Sequence, residues 1–279
     1  MSKTSIAWAS HSWNPYSWNC ERISPGCKNC YMMALAERRG HDPNGPITTR
    51  WDAAERELKA MKSGAVIFVN SMSDTYHNKA KGADIHRIHN MALSHPENTF
   101  LLLTKRPERA YHMRETLAWP GNLWLGVSVE NGDYLWRIDY ALATPAAGVF
   151  VSAEPLLGDI GVRLLNYLHG MNYHNRPSNT PYEVWKAGQF RAVGWVIVGG
   201  ESGRNRRALD RDWVRSIMHS CAQHEIPFMF KQGSAHRPGQ DRYLDGRMWD
   251  EMPAEFMARG AIKQAGPLSE QRPYQLGLF

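Results

Sequence analysis

No apolar run in the chain approaches the roughly 20 residues that a membrane-spanning helix requires. The stretch Met1 to Pro15 also lacks the basic-then-apolar order of a secretory leader. The expectation is a soluble, cytoplasmic protein with no membrane partner. Cysteine is scarce, at four in 279 residues, which excludes a scaffold built on disulfides at this size. Neither sign of charge is missing. Lys and Arg number 33 against 27 Asp and Glu, a net charge of +6 that suits a polyanionic partner without demanding one. With 43% hydrophobic and 22% charged residues, the chain falls outside the disordered class. It is long enough for one large domain or two small ones, and it carries no internal repeat and no low-complexity tract.

Short apolar runs rich in β-branched and aromatic residues recur along it: Ser5 to Trp8, Val66 to Val69, Phe100 to Leu103, Leu123 to Val127, Gly148 to Val151, Trp195 to Val198 and Pro227 to Phe230. Four to six such residues between Gly, Pro or polar clusters read as strands buried on both faces, the signature of parallel strands. Helix-like spacing fills the gaps over Tyr31 to Arg39, Ala53 to Lys62, Ile85 to Leu93, Pro107 to Leu117, Tyr134 to Ala143 and Asp212 to His224. Six or seven alternating units predict an α/β fold, a (β/α) barrel or partial barrel with a small C-terminal extension. We divide it into a barrel-like domain over 1–233, with an insertion near 158–194 that covers or borders the site, and a C-terminal hairpin and tail over 234–279.

The residues just after each strand carry the functional signal. The runs lead into Asn70-Ser71-Met72-Ser73-Asp74, Thr104-Lys105-Arg106-Pro107, Ser128-Val129-Glu130-Asn131, Ser152-Ala153-Glu154-Pro155, Gly199-Gly200-Glu201-Ser202-Gly203 and Lys231-Gln232-Gly233. Polar and charged side chains thus gather at the strands' C-terminal ends, where such barrels carry their active sites. Glu130, Glu154 and Glu201 are candidates to converge there and to hold ammonium or hydroxyl groups or accept a proton. They equally suit salt bridges with Lys105, Arg106 or Lys231 across the mouth. Lys105 is also a candidate to neutralise a phosphate or carboxylate. Asp74, with Tyr76 and His77 beside it, is placed to orient a substrate. Glycines at 199 and 200 would let a ligand approach the backbone.

Three of the four cysteines stand together as Cys20-x6-Cys27-x2-Cys30, ahead of the first helix-like segment, while Cys221 stands alone in an apolar helical setting. Three thiolates in one short loop can converge on a metal. A zinc site would need a fourth ligand, with His11, His41 or Cys221 as candidates; a cubane iron–sulfur cluster would leave one iron open; three unligated buried thiols are the plain alternative.

The segments Trp13-Asn14-Pro15, Cys20-x6-Cys27-x2-Cys30-Tyr31, Leu103-Thr104-Lys105-Arg106-Pro107, Leu125-Gly126-Val127-Ser128-Val129-Glu130-Asn131, Ser152-Ala153-Glu154-Pro155-Leu156-Leu157-Gly158, Val198-Gly199-Gly200-Glu201-Ser202-Gly203 and Phe230-Lys231-Gln232 resemble those of the three-cysteine-motif proteins of bacteriophages and bacteria. The resemblance spans residues 5 to 253. More distantly, the chain is similar to the radical S-adenosylmethionine superfamily. That similarity implies a radical SAM-like partial barrel whose Cys20, Cys27 and Cys30 hold a [4Fe–4S] cluster, and a reductase as electron donor. It implies an enzyme that cleaves S-adenosylmethionine to a 5′-deoxyadenosyl radical. Tyr31, Ser128, Glu130, Gly199, Gly200 and Glu201 are then the expected cofactor-binding residues, with Glu154, Glu201 and Lys105 as catalytic ones. The setting it suggests is a bacterial or phage-infected cell.

The densest positive run is Arg204-Asn205-Arg206-Arg207. As a solvated loop it needs no explanation; beside the Gly199 loop, Arg204, Arg206 and Arg207 would grip a nucleic-acid backbone. A nucleic acid or nucleotide is accordingly the expected substrate. The rival expectation is a non-catalytic protein that binds nucleic acid or another partner, with the cysteines holding zinc or an inert cluster.

Overall fold

The computed structural model describes residues 4–169, 180–188 and 190–258. Seven strands lie in chain order in one wholly parallel sheet: β1 (His11–Trp13), β2 (Val66–Val69), β3 (Thr99–Thr104), β4 (Leu123–Ser128), β5 (Gly148–Ala153), β6 (Trp195–Gly199) and β7 (Phe228–Gln232). The sheet curls into a partial barrel surrounded by helices. These are α1 (Tyr31–Arg38), α2 (Trp51–Lys59), α3 (Gly82–Leu93), α4 (Pro107–His112), α5 (Trp136–Leu142), α6 (Gly161–Leu168), α7 (Tyr182–Gly188), α8 (Arg211–Gln223) and the short α9 (Ala254–Ala258).

Successive strand residues face opposite sides of a sheet, and the two cores separate on that period. Val66 and Phe68, Leu101, Trp124, Phe150, Trp195 and Ile197, and Met229 form the cluster inside the barrel. Their neighbours Ile67 and Val69, Phe100 and Leu102, Leu123 and Leu125, Val149 and Val151, Val196 and Val198, and Phe228 and Phe230 face the helices. Both sides are apolar, which is why the strands read as unbroken hydrophobic runs rather than alternating ones.

One expectation changes near the start of the chain. Ser5 to Trp8 is no strand; the first strand is His11–Trp13, in register with Ile67–Val69. The earlier stretch is apolar because Trp8 is driven into the barrel, where its ring lies 4.5 Å from that of Phe68 and near those of Phe150 and Trp195. The described residues of the long crossover between β5 and β6 form two helices, α6 packed on α8 and α7 on α5. Residues 170–179 of the expected insertion, and residues 259–279 of the expected C-terminal hairpin and tail, lie outside the described residues. Tyr243–Leu244 pairs antiparallel with Arg247–Met248 around Asp245 and Gly246, both at positive φ. Among the described residues no helix is long and apolar enough to cross a membrane.

Candidate functional site

The inward positions that carry large apolar groups low in the barrel carry charge at its mouth. Counting on by twos from Trp124 leads to Ser128 and Glu130, from Phe150 to Ser152 and Glu154, from Ile197 to Gly199 and Glu201, from Leu101 to Lys105, and from Met229 to Lys231. Ser128 and Ser152 are register partners. The strand-end carboxylates and both lysines are thereby gathered at the mouth, and each carboxylate is ion-paired.

Glu130 is fully buried. It receives Lys105 Nζ at 2.5 Å, Arg137 Nη1 at 2.8 Å and the Ser24 hydroxyl at 2.5 Å. Burial pushes its carboxyl up, but the Lys105 and Arg137 charges and the hydrogen bonds outweigh that and hold it below the ordinary range. Arg137 also donates to the Ser128 carbonyl at 2.8 Å. Glu154 pairs with Lys231 at 2.7 Å and accepts from the Ser152 hydroxyl at 3.1 Å. β6 runs between their two strands, and the pair passes over it at Gly199, where a Cβ would sit 2.8 Å from Glu154 Oε1. Glu154 and Lys231 therefore use the space beside Gly199, while the space beside Gly200 is filled by Ser234. Glu201 accepts from the Arg207 amide at 2.7 Å, from its guanidinium, and from Asn29 Nδ2 at 2.8 Å. Burial opposes its ionisation, but the Arg207 and Asn29 bonds prevail and lower its pKa. Asp74 accepts from Thr104 Oγ1 at 2.7 Å and from the amides of Lys105 and Tyr76, tying the loops after β2 and β3 together.

The cysteine loop lies across this mouth. Ser24 reaches Glu130, Gly26 lies so close to Glu130 that a Cβ would fall 2.6 Å from its Cγ, Asn29 reaches Glu201 and the Asn205 carbonyl, and Arg207 donates to the Pro25 carbonyl. On the β2 side, Ser73 donates to the Asn19 carbonyl and the Tyr31 hydroxyl to the Ser71 carbonyl. Arg106 pairs with Glu21 at 3.0 Å, and His77 faces the same carboxylate.

These contacts decide where the thiols go, and the metal expectations fail here. Cys20 and Cys30 pack with Trp18, Met32, Met33 and Met72 in an apolar cluster, and burial pushes the Cys20 thiol up to about 12. Cys27 lies instead beside the Ser24 hydroxyl at 3.5 Å. Burial raises its pKa, but hydrogen bonds and the Lys105 charge bring it below the ordinary thiol value. Cys221 is buried in the core on α8. All four cysteines are free. Among the described residues no three His, Cys, Asp or Glu side chains are placed to hold a metal ion. The expected [4Fe–4S] cluster, the S-adenosylmethionine-dependent radical enzyme built on it, and the zinc alternative are all overturned, because closeness in sequence does not converge the three sulfurs.

The open volume lies to one side of the ion pairs. A groove of about 480 Å³ is bordered by Lys105, Arg106 and Arg109 from the β3–α4 segment, by Arg137 with Tyr134 and Trp136 at the start of α5, and by Ile23 of the cysteine loop. Its charged lining is four cations and one carboxylate, Glu108, whose pKa burial raises. Arg109 donates to the carbonyls of His77 and Ala80, the latter at 2.7 Å, and forms no ion pair among the described residues. Arg137 lies 4.3 Å from the Tyr134 ring centre and 5.7 Å from that of Trp136. Its Nε is a buried donor without a partner among the described residues.

Of the groove's polar lining, Lys105 and Arg106 stood out in the sequence by their place just after a strand. Arg109, Tyr134, Trp136 and Arg137 did not, since they sit on helix starts that read as ordinary amphipathic segments. The spacing of seven residues from Glu130 to Arg137, across the connection into α5, was the signal available. Of the arginine run, Arg207 is committed to Glu201, Arg206 donates to the Gly203 carbonyl at 3.0 Å, and Arg204 and Arg206 are exposed. The run meets the cysteine loop at Pro25 and Asn29, whereas the groove borders that loop at Ile23.

Together these features define an open, parallel α/β partial barrel whose mouth is crossed by an ion-paired loop and flanked by an arginine-rich groove. The chain belongs to the family described as protein of unknown function (DUF5131), whose model matches residues 3–253. Neither a curated protein nor a solved structure matches it.

Proposed function

We propose that this protein binds nucleic acid, with the groove as the place where the phosphodiester backbone is held. The observation that carries the reading is the lining itself: four cations stand in the wall with one carboxylate, and although Lys105 and Arg137 are paired with Glu130 and Arg106 with Glu21, Arg109 has no acidic partner among the described residues. Guanidinium groups suit phosphate because their fork of donors matches its oxygens. Binding that neutralises phosphates also releases counterions, so a modestly basic protein with a local cationic groove gains affinity from the polymer itself. The exposed Arg204 and Arg206 extend the positive surface to the other side of the cysteine loop, where flanking phosphates would run.

The mouth carboxylates support binding rather than proton transfer. A general base works best with a pKa near the working pH, whereas Glu130 and Glu201 are held below the ordinary carboxylate range by their cations. Their role in this reading is to fix Lys105, Arg137 and Arg207 in place.

The test is equilibrium binding of a labelled oligonucleotide across a salt series, for the wild type, Arg109→Gln and Arg204→Gln/Arg206→Gln, with thermal melts to show that each is folded. Every phosphate that a variant no longer engages should lower the slope of log K against log salt by about 1 and weaken binding at low salt. Absence of binding at about 50 mM salt, where the polyelectrolyte effect is strong, would sink the reading, as would isotherms that none of these substitutions alters.

A further inference from the structure

Resting on that reading, we infer that the groove seats one unpaired nucleotide of a single strand, its base against Trp136 and Tyr134 and its phosphate on Arg109 and Arg106. Shape is the first reason. Duplex DNA is read by a convex element, a helix or a ribbon, entering its groove. Here the cationic surface is itself concave, and its volume of about 480 Å³ lies in the range of small-ligand pockets. A paired and stacked base has no route into such a recess; a base free of the stack has one.

The second reason is the composition of the wall. Tyr134 and Trp136 are half-buried, so each is anchored yet keeps accessible surface. Trp136 packs edge-on against Tyr140 on its own helix, and the Arg137 guanidinium lies over Tyr134. Aromatic and guanidinium planes fixed in this way are the platforms on which single-stranded bases stack.

The third reason is unspent donor capacity. Arg137 is buried and its Nε meets no acceptor among the described residues. A buried donor without a partner is costly, and it belongs to a side chain of the groove wall. Arg109 brings a positive charge that meets no carboxylate among the described residues, while Lys105 and Arg137 share the single carboxylate of Glu130 and Arg106 is paired with the half-exposed Glu21. Phosphate is the ligand group that answers the unpaired Arg109 charge, and the aromatic wall distinguishes a nucleotide from a bare phosphate.

The experiment compares a labelled oligo-dT strand with a hairpin duplex of equal length, using the full chain, its Trp136→Ala and Trp136→Leu variants and Arg109→Gln. Leu keeps apolar packing at 136 while removing the stacking face, so the test survives if the Ala variant does not fold. We expect the single strand to bind at least about tenfold tighter than the duplex. The Trp136 variants should lose roughly 5- to 100-fold for the single strand, the span of one base stack, with little change for the duplex. Thymidine monophosphate should compete, and inorganic phosphate at equal ionic strength should not. Equal affinity for both forms, or single-strand binding indifferent to Trp136→Leu, would overturn the single-nucleotide seat while leaving nucleic-acid binding standing. No binding of either form would overturn both.

Discussion

The two ends of the barrel are built from the same strands, a few residues apart, and are closed by opposite chemistry. At the N-terminal end, Trp8 and Phe256 enter from outside the sheet and pack on Phe68, Trp124, Phe150 and Trp195. At the mouth, the cysteine loop is held by hydroxyls, amides and ion pairs directed at Glu130 and Glu201. Apolar closure is non-directional and needs only volume. Ionic closure is directional, and each buried charge depends on its partner. The first end serves stability; the second leaves cations with donors to spare, which is the chemistry a ligand can use.

Trp8→Ala should give the largest effect, a loss of about 4 kcal/mol, the usual cost of emptying an aromatic site in a core. Urea unfolding at two salt concentrations checks it, and the loss should be the same at both. A substantial salt dependence would mean that this end is not the purely apolar closure described.

Next in size is Glu130→Ala, which strands the buried Arg137 and should cost about 3 kcal/mol. Adding Arg137→Met removes the stranded charge and should restore a good part of that loss. A double variant no more stable than the single would show that Glu130 acts through the cysteine loop, by way of Ser24, more than through Arg137.

A smaller effect comes from a buried carboxylate that has no cation paired with it among the described residues. Asp139 accepts from Thr180 Oγ1 at 2.9 Å and Tyr167 Oη at 3.3 Å, and burial pushes its pKa up to about 7. Because this folded value lies above the unfolded one, the stability it contributes is fully present below about pH 4, the ordinary Asp value, and is lost as pH rises through about 7. Glu130, lowered by its cations, has the opposite sign: its contribution is present above the unfolded carboxylate pKa and is lost as pH falls through the folded one. Asp139→Asn should therefore gain about 1–2 kcal/mol over the wild type at about pH 8, where the buried carboxylate must be charged, and little in mild acid. Melting temperatures across the pH range decide this, and a constant difference between the two proteins would refute it.

Much of the fold was legible along the chain. Val66–Val69 is a strand at both of the bounds expected for it, and the other central runs differ by one or two residues at their ends. Ser5 to Trp8 was misplaced because an apolar segment that plugs a barrel and one that lines it have the same composition. The carboxylates and lysines after the strands were recognisable as a group, since a period of two carries the inward face past the end of each strand. The salt bridges foreseen from Lys105 and Lys231 do form, to Glu130 and Glu154, whereas Glu201 takes Arg207. The cysteines misled because a spacing of ligands is also a spacing of loop residues, and side-chain direction is not written in it.

The succession of strands along the chain, the two-sided burial of the sheet and the concentration of charge at one rim come from local pattern, because hydrophobic periodicity acts over a handful of neighbouring residues. The pairing of Ser24 with Glu130 and of Asn29 with Glu201 joins positions 106 and 172 residues apart. Those contacts turn Cys27 toward Ser24 and leave Cys20 and Cys30 among methionines, and the groove opens beside them. Such partners are chosen by the curl of the sheet, which sets the distances between strand ends and so determines which of many competent polar groups come within hydrogen-bond reach.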